Sequence, residues 1–346
     1  MLWFFLFDRT ATGAVLRLDT AAQLNSMLCR LRFDVDDWVS FANQGRREMM
    51  LSKQEVKEVV ARLVPEEIAE SVASEPAKIR LFTEMKYMTV MFTDVQEFRT
   101  ICESLSTDKV VNLLSLYLSE MSRILVKHKG TILNYSGDSI VAVFGAPTQT
   151  DHHSTDACMA AIQMKATEDE LHQTLQQEGI TEMPLRTRIG INTDHMIAGL
   201  MGTQYRMQYD VLGNGVNLAA QLEGINRRYG TYVLTTDETC QHTGSLFLIR
   251  KLDRIRARGV PKVHRLCELI GADANVGLRQ GIGLISIFHQ GLERLENRQW
   301  KAAKESFSEC LRIDPADGPS KVFLQRCHDF EEREPASDWD GIFNIE

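Results

Sequence analysis

The apolar positions change period several times between about residues 86 and 270. Met88–Val95 (MTVMFTDV) is a short, β-branched apolar run closing on an acid, the pattern of a buried strand. Val110–Lys129 sets Leu113, Leu114, Leu116, Leu118, Met121, Ile124 and Leu125 along a long helix. Thr131–Asn134 and Ser139–Phe144 read as a hairpin, because Tyr135-Ser136-Gly137-Asp138 between them has turn composition. Asp151 suits the N-cap of a helix over His152–Gln176. Arg186–Asn192 and Met196–Leu200 read as two strands around a polar turn, and Asn217–Asn226 as a short helix. Gly137, Gly190 and Gly202 are expected at tight turns. This order predicts the α+β class: a mixed, largely antiparallel sheet with helices packed on one face.

The flanks behave differently. Residues 1–50 show no sustained period, and Met1–Phe7 (MLWFFLF) is intensely apolar but ends at Asp8, well short of the roughly 20 residues that span a bilayer. It reads either as a buried N-terminal strand or as the last turns of a membrane tether lying upstream. Over Ser52–Val72, Val56, Val59, Val60, Leu63, Val64, Ile68 and Val72 recur at spacings of three and four, predicting an amphipathic helix interrupted at Pro65. Helical periods return at Ile282–Asn297, Trp300–Ile313 and Pro319–Phe330, and a pair of these resembles one tetratricopeptide repeat of about 34 residues. The tail from Glu331 carries six acids against one Arg and is expected to lie on a surface. The resulting division is 1–50 of unknown fold, 51–85 a helical signalling linker, 86–270 the central domain, and 271–346 a helical segment with an acidic tail.

Composition narrows the partners. A formal charge of -8 argues against nucleic-acid binding through a broad basic surface. The seven cysteines are odd in number, scattered and without a CxxC pair, which reads as reduced thiols in the cytoplasm. None of the nine histidines has metal-ligand spacing.

Two carboxylates draw attention. Asp94 closes a strand and Asp138 sits at a hairpin tip, a compact way to present hard oxygen ligands to a divalent cation for phosphate chemistry. Each also has an ordinary reading, as a strand-ending residue and as the turn partner of Gly137. FTDVQEF, GTILNYSGDSIVAVFGAP, RIGINT, YDVLGNGVNLAAQLEG and RARG follow in order over about Tyr87–Leu269. Together these words resemble the class III adenylate/guanylate cyclase catalytic domain. The C-terminal segment, with Asp317-Gly318-Pro319-Ser320 and Asp338–Gly341, is similar to the one that follows this domain in bacterial multi-domain cyclases.

The resemblance implies a ferredoxin-like α+β fold and two metal ions, Mg²⁺ or Mn²⁺, held by Asp94, Asp138 and the carbonyl of Val95. It implies ring closure by the ribose 3′-hydroxyl on the α-phosphate of ATP or GTP, in a head-to-tail homodimer whose sites combine residues of both chains. Asp210 then meets the adenine amine, with Asn134 at the place of the usual Lys. Asn217 orients the ribose, and Arg258 takes the place of a phosphate-binding Lys. Gln221 stands where the family carries a phosphate-stabilising Arg, so Gln221→Arg is expected to raise turnover, with Arg227 or Arg228 as alternative cations. A weakly active or inactive nucleotide-binding homologue and a guanylate cyclase remain open beside an active adenylate cyclase.

Overall fold

The computed structural model describes residues 68–70, 81–203, 205–272 and 279–345. The region expected at 1–50 and most of the helix expected at Ser52–Val72 lie outside the described residues. Residues 68–70 are helical, with Ile68 and Ala69 buried.

The strands are β1 (Phe82–Val95), β2 (Thr131–Ser136), β3 (Ser139–Phe144), β4 (Thr187–Thr203), β5 (Arg206–Leu212), β6 (Val233–Thr236), β7 (Phe247–Arg256), β8 (Val263–Ala272) and β9 (Ile342–Asn344). The helices between them are α1 (Phe98–Glu103), α2 (Thr107–Lys127), α3 (His153–Gln177), α4 (Asn214–Tyr229), α5 (Asp237–Thr243), α6 (Arg279–Glu296), α7 (Trp300–Ile313) and α8 (Gly318–Glu332). One sheet runs in the order β2-β3-β1-β4-β6-β8-β7-β9, with β5 hydrogen-bonded to β4. β4–β6 and β7–β9 are parallel and the other pairs antiparallel. The expected α+β class with a mixed, largely antiparallel sheet is therefore what forms.

Helices reach both faces, because β1 is apolar on both sides. Met91 and Val95 pack under α2 and α3 with Leu113, Tyr117, Met121 and Met164. Met88 and Val90 point the other way, towards Met196, Val211 and Ala219 of α4.

Three local expectations change. The two strands expected around a turn at 192–196 are one strand, β4, whose ladder with β1 runs unbroken from Phe82↔Leu200 to Val95↔Thr187. Asn192 and Thr193 there are buried and bonded instead of turning. Asn192 donates to Gly215 O at 3.1 Å, and Thr193 Oγ1 lies 2.8 Å from Thr89 Oγ1. Gly190 and Gly202 lie within that strand, not in a turn; a Cβ at Gly190 would sit 2.2 Å from Ala219 O and 2.4 Å from Glu223 N. Glycine is what lets α4 lie this close to the sheet. The N-cap of α3 is His152 and not Asp151, and its side chain makes no capping bond.

The C-terminal helices close over the sheet's own second core. Leu222 and Tyr229 of α4, Leu252 and Ile255 of β7, and Phe288, Phe307 and Phe323 of α6–α8 form one buried cluster. The Phe288 ring lies 5.3 Å from that of Phe307 and 5.4 Å from that of Phe323, and each such buried ring contributes roughly 1.5–3 kcal/mol. Ion pairs fasten the seam: Arg250 bridges Glu268 and Asp317, and Arg326 clasps Asp253 at 2.6 and 2.7 Å. These helices extend the hydrophobic core of the sheet, and nothing in their packing adds to the tetratricopeptide likeness. The acidic tail does more than lie on a surface. Trp339 packs against Trp300 and Phe330, and β9 adds a parallel strand beside β7.

Candidate active site

Asp94 and Asp138 are brought together by the β1–β3 ladder. Thr93 pairs with Ile140, so the end of β1 lies beside the β2–β3 turn, where Gly137 has φ 64°. The Val95 N–H donates to Asp138 Oδ2 at 2.9 Å, and Ser139 Oγ donates to Asp94 Oδ1 at 2.8 Å. Each carboxylate is thus tied to a neighbour of the other. Burial pushes the Asp138 carboxyl above its ordinary range; the Val95 N–H opposes this and the Asp94 charge adds to it.

A third acid stands close by. Glu223, on the sheet-facing side of α4, is pushed up to about 7, first by burial and then by Asp94; Arg188 opposes the shift and Asp138 adds to it. Arg188 faces Asp94 directly across the β1–β4 ladder. Neither Glu223 nor Arg188 was singled out from the sequence. Glu223 lies inside the word that carries Asn217 and Gln221, but its position two residues after Gln221 puts it on another side of the helix. Its nearness to Asp94 is a product of the tight Gly190 contact.

The donor set suits a hard cation. Two carboxylates and nearby backbone carbonyls are all oxygen ligands, and a divalent ion between the acids offsets the like charge that raises Asp138. Among the described residues no three His, Cys, Asp or Glu gather to enclose an ion alone.

The other expected residues lie elsewhere on the surface. Asn134 is exposed on edge strand β2, beside a bulge between Ile132 and Asn134. Asp210 is half-buried on β5 opposite Gly199, and one of its oxygens accepts the Val211 N–H at 2.8 Å. Asn217 is exposed in the first turns of α4. Among the described residues, no hydrogen bond joins Asn134, Asp210 or Asn217 to Asp94 or Asp138. At about 100° per residue, Asn217 and Gln221 point about 120° and 160° away from Glu223, the α4 side chain whose carboxyl is raised by Asp94 and Asp138.

Gln221 and Arg258 do meet. Gln221 Nε2 donates to Arg258 O and Arg258 N donates to Gln221 Oε1, both at 3.0 Å. The Arg258 side chain is exposed and has no partner among the described residues. Of the alternative cations, Arg228 is engaged, its guanidinium lying 3.9 Å from the centre of the Phe343 ring.

Comparison with known proteins gives a consistent result. A family model described as "Adenylate and Guanylate cyclase catalytic domain" matches residues 82–266. "Adenylate cyclase 1" of Rhizobium meliloti is 34% identical over 184 residues, 53% of this chain and 27% of that protein. "Adenylate cyclase, terminal-differentiation specific" of Dictyostelium discoideum is 26% identical over 279 residues, 79% of this chain and 13% of that protein. The chain therefore spans a small part of these relatives. The crystal structure of the adenylyl cyclase CyaB from P. aeruginosa aligns with TM-score 0.52 at 30% identity, covering 57% of this chain and 100% of that one.

Proposed function

The chain belongs to the adenylate and guanylate cyclase catalytic domain family, and on that premise we propose that it converts ATP to 3′,5′-cyclic AMP and pyrophosphate. The observation that carries this reading is the cross-tied pair of Asp94 and Asp138 at 2.8–2.9 Å from each other's neighbours. Asp94, Asp138 and the Val95 carbonyl would hold two divalent cations, which would supply charge neutralisation for the triphosphate and acidify the ribose 3′-hydroxyl. The protein's part is to hold the carboxylates rigidly, through the Val95 N–H and the Ser139 hydroxyl, so that little reorganisation accompanies reaction.

Asp210 keeps one carboxylate oxygen free of its Val211 bond, an acceptor for the adenine amine, and Asn134 donates to a ring nitrogen. Asn217 orients the ribose and Arg258 neutralises phosphate. Because α4 turns Asn217 and Gln221 away from its own carboxylates, these groups serve the carboxylates of a second copy, in a head-to-tail homodimer. The six described cysteines are all free, which supports a reducing, cytoplasmic setting. Among the described residues no helix is long and apolar enough to cross a membrane.

The test supplies the full chain with Mn²⁺ and either ATP or GTP, and reads cyclic nucleotide and pyrophosphate. Cyclic AMP formation that is abolished by Asp94→Ala and by Asp138→Ala is expected; cyclic GMP alone would make it a guanylate cyclase. The uncharged Asn134 and Gln221, where the family resemblance implies cations, favour a second reading as a nucleotide-binding homologue of low turnover. Nucleotide binding without product would support that one. Neither binding nor product would overturn both.

A further inference from the structure

We propose that Gln221 is a positioning residue that clamps the β7–β8 turn, so that Arg258 presents its guanidinium to the substrate phosphates. The inference rests on the cyclase reading and assigns Gln221 a role other than that of a missing charge.

The turn itself is well defined. Val260 N donates to Ala257 O at 3.0 Å and Gly259 has φ 74°, the pattern of a type II turn with Arg258 at its second position. Ala257 and Val260 anchor it in the second core at 3% and 5% exposure. Between these anchors, the peptide groups of Arg258 would otherwise face solvent. Gln221 satisfies both of them, the carbonyl with its amide N–H and the N–H with its amide oxygen, each at 3.0 Å.

This pairing needs a side chain that donates and accepts in one plane. A primary amide does so, whereas a guanidinium has donors only and cannot accept the Arg258 N–H. Leaving that N–H unpaired, and adding a second guanidinium beside the first, works against the turn. Gln221 projects from α4, which Gly190 seats directly on β4, so the rigid sheet is carried through α4 to the turn. The main chain of Arg258 is held at four points, by the flanking residues and the two amide bonds, while its side chain stays exposed and unpaired among the described residues. A cation is therefore delivered from the turn, and the helix supplies the frame.

The expectation of a faster Gln221→Arg variant reverses on this geometry. The experiment uses full-length wild type, Gln221→Met, Gln221→Glu, Gln221→Arg, Arg258→Ala and the Gln221→Met/Arg258→Ala pair, all with Mn²⁺. Two quantities are measured: affinity for inorganic pyrophosphate by calorimetry, and kcat and KM with ATP and GTP. Met keeps the size of Gln without its hydrogen bonds, and circular dichroism checks that each variant folds.

Gln221→Met is expected to weaken pyrophosphate binding and lower kcat/KM by roughly tenfold. Gln221→Glu, which keeps the acceptor only, falls between wild type and Met. Gln221→Arg does not exceed wild type. The double variant matches Arg258→Ala alone, because Gln221 acts through Arg258. Additive losses, pyrophosphate affinity unchanged in Gln221→Met, or a Gln221→Arg variant faster than wild type would overturn the clamp. A wild-type chain that makes no cyclic nucleotide defeats the cyclase reading, while the pyrophosphate series still judges the clamp.

Discussion

The Val95 N–H donates to Asp138 Oδ2 at 2.9 Å, so the tip of the β2–β3 hairpin is fastened to the last residue of β1. The same carboxylate is thus both a backbone anchor and half of the acid pair. The two duties separate by substitution. Asp138→Asn keeps an oxygen for the Val95 N–H and loses the charge, while Asp138→Ala loses both. Cyclic nucleotide formation is expected to fall at least a hundredfold in each, as for loss of other charge-stabilising groups. Thermal unfolding should distinguish them: Ala costs about 1 kcal/mol of stability and Asn much less.

Mixing variants tests the two-chain site. Asp94→Ala disables the carboxylate half and Asn217→Ala the outward half of α4. Each alone is expected to be inactive. Mixed in equal amounts and allowed to exchange, random pairing restores about one quarter of the wild-type sites, since half the dimers carry one complete site. No recovery, with exchange shown by native mass spectrometry, would place both halves in one chain.

Strands β1–β3, most of β4, most helix positions and the carboxylate pair were legible in the sequence because they rest on local pattern; β5–β8 were not. Met88–Val95 is a short apolar run with Asp94 next to its end, and the turn around Gly137 sets Asp138 a fixed distance along the chain. What was not legible depends on tertiary contact. Asn192–His195 looks like a turn by composition, yet β1 on one side and Gly215 on the other satisfy it as strand. Glu223 becomes notable only because Gly190 lets α4 approach the sheet. Gln221 read as a lost cation, since no pattern shows that its amide fits the backbone of Arg258, 37 residues away. The tail strand β9 was hidden for the same reason: Ile342–Asn344 carries no strand pattern until Trp339 docks it beside β7.

Asp253 and Arg326 give the C-terminal helices a measurable link to the catalytic sheet. Their side chains are 4% and 13% exposed, and Asp253 also accepts the Tyr229 hydroxyl of α4. Arg326→Met leaves a buried carboxylate with only Tyr229 and is expected to cost about 3–5 kcal/mol. Asp253→Leu combined with Arg326→Met removes both charges and should recover a large part of that loss. Denaturant unfolding of wild type, the single and the double variants checks it. A single variant as stable as wild type would mean that the helices are not fastened through this pair.

Glu223 makes stability depend on pH near neutrality. Its carboxyl rises from 4.5 in the open chain to about 7 in the fold, driven by burial and by Asp94 and Asp138 against the opposing Arg188. The folded state therefore holds a proton that the unfolded state has released between these values. The sign follows: the contribution is fully present below about pH 4.5 and is lost as pH rises through about 7. Because the side chain is only half-buried, solvent screening reduces its size to about 1–2 kcal/mol. Glu223→Gln mimics the protonated acid at every pH. In chelator-treated protein, wild type should lose stability between pH 5 and 8 by that amount relative to the variant, and the two curves should meet at the acid end. Parallel curves across the range would show that Glu223 is not the group that titrates.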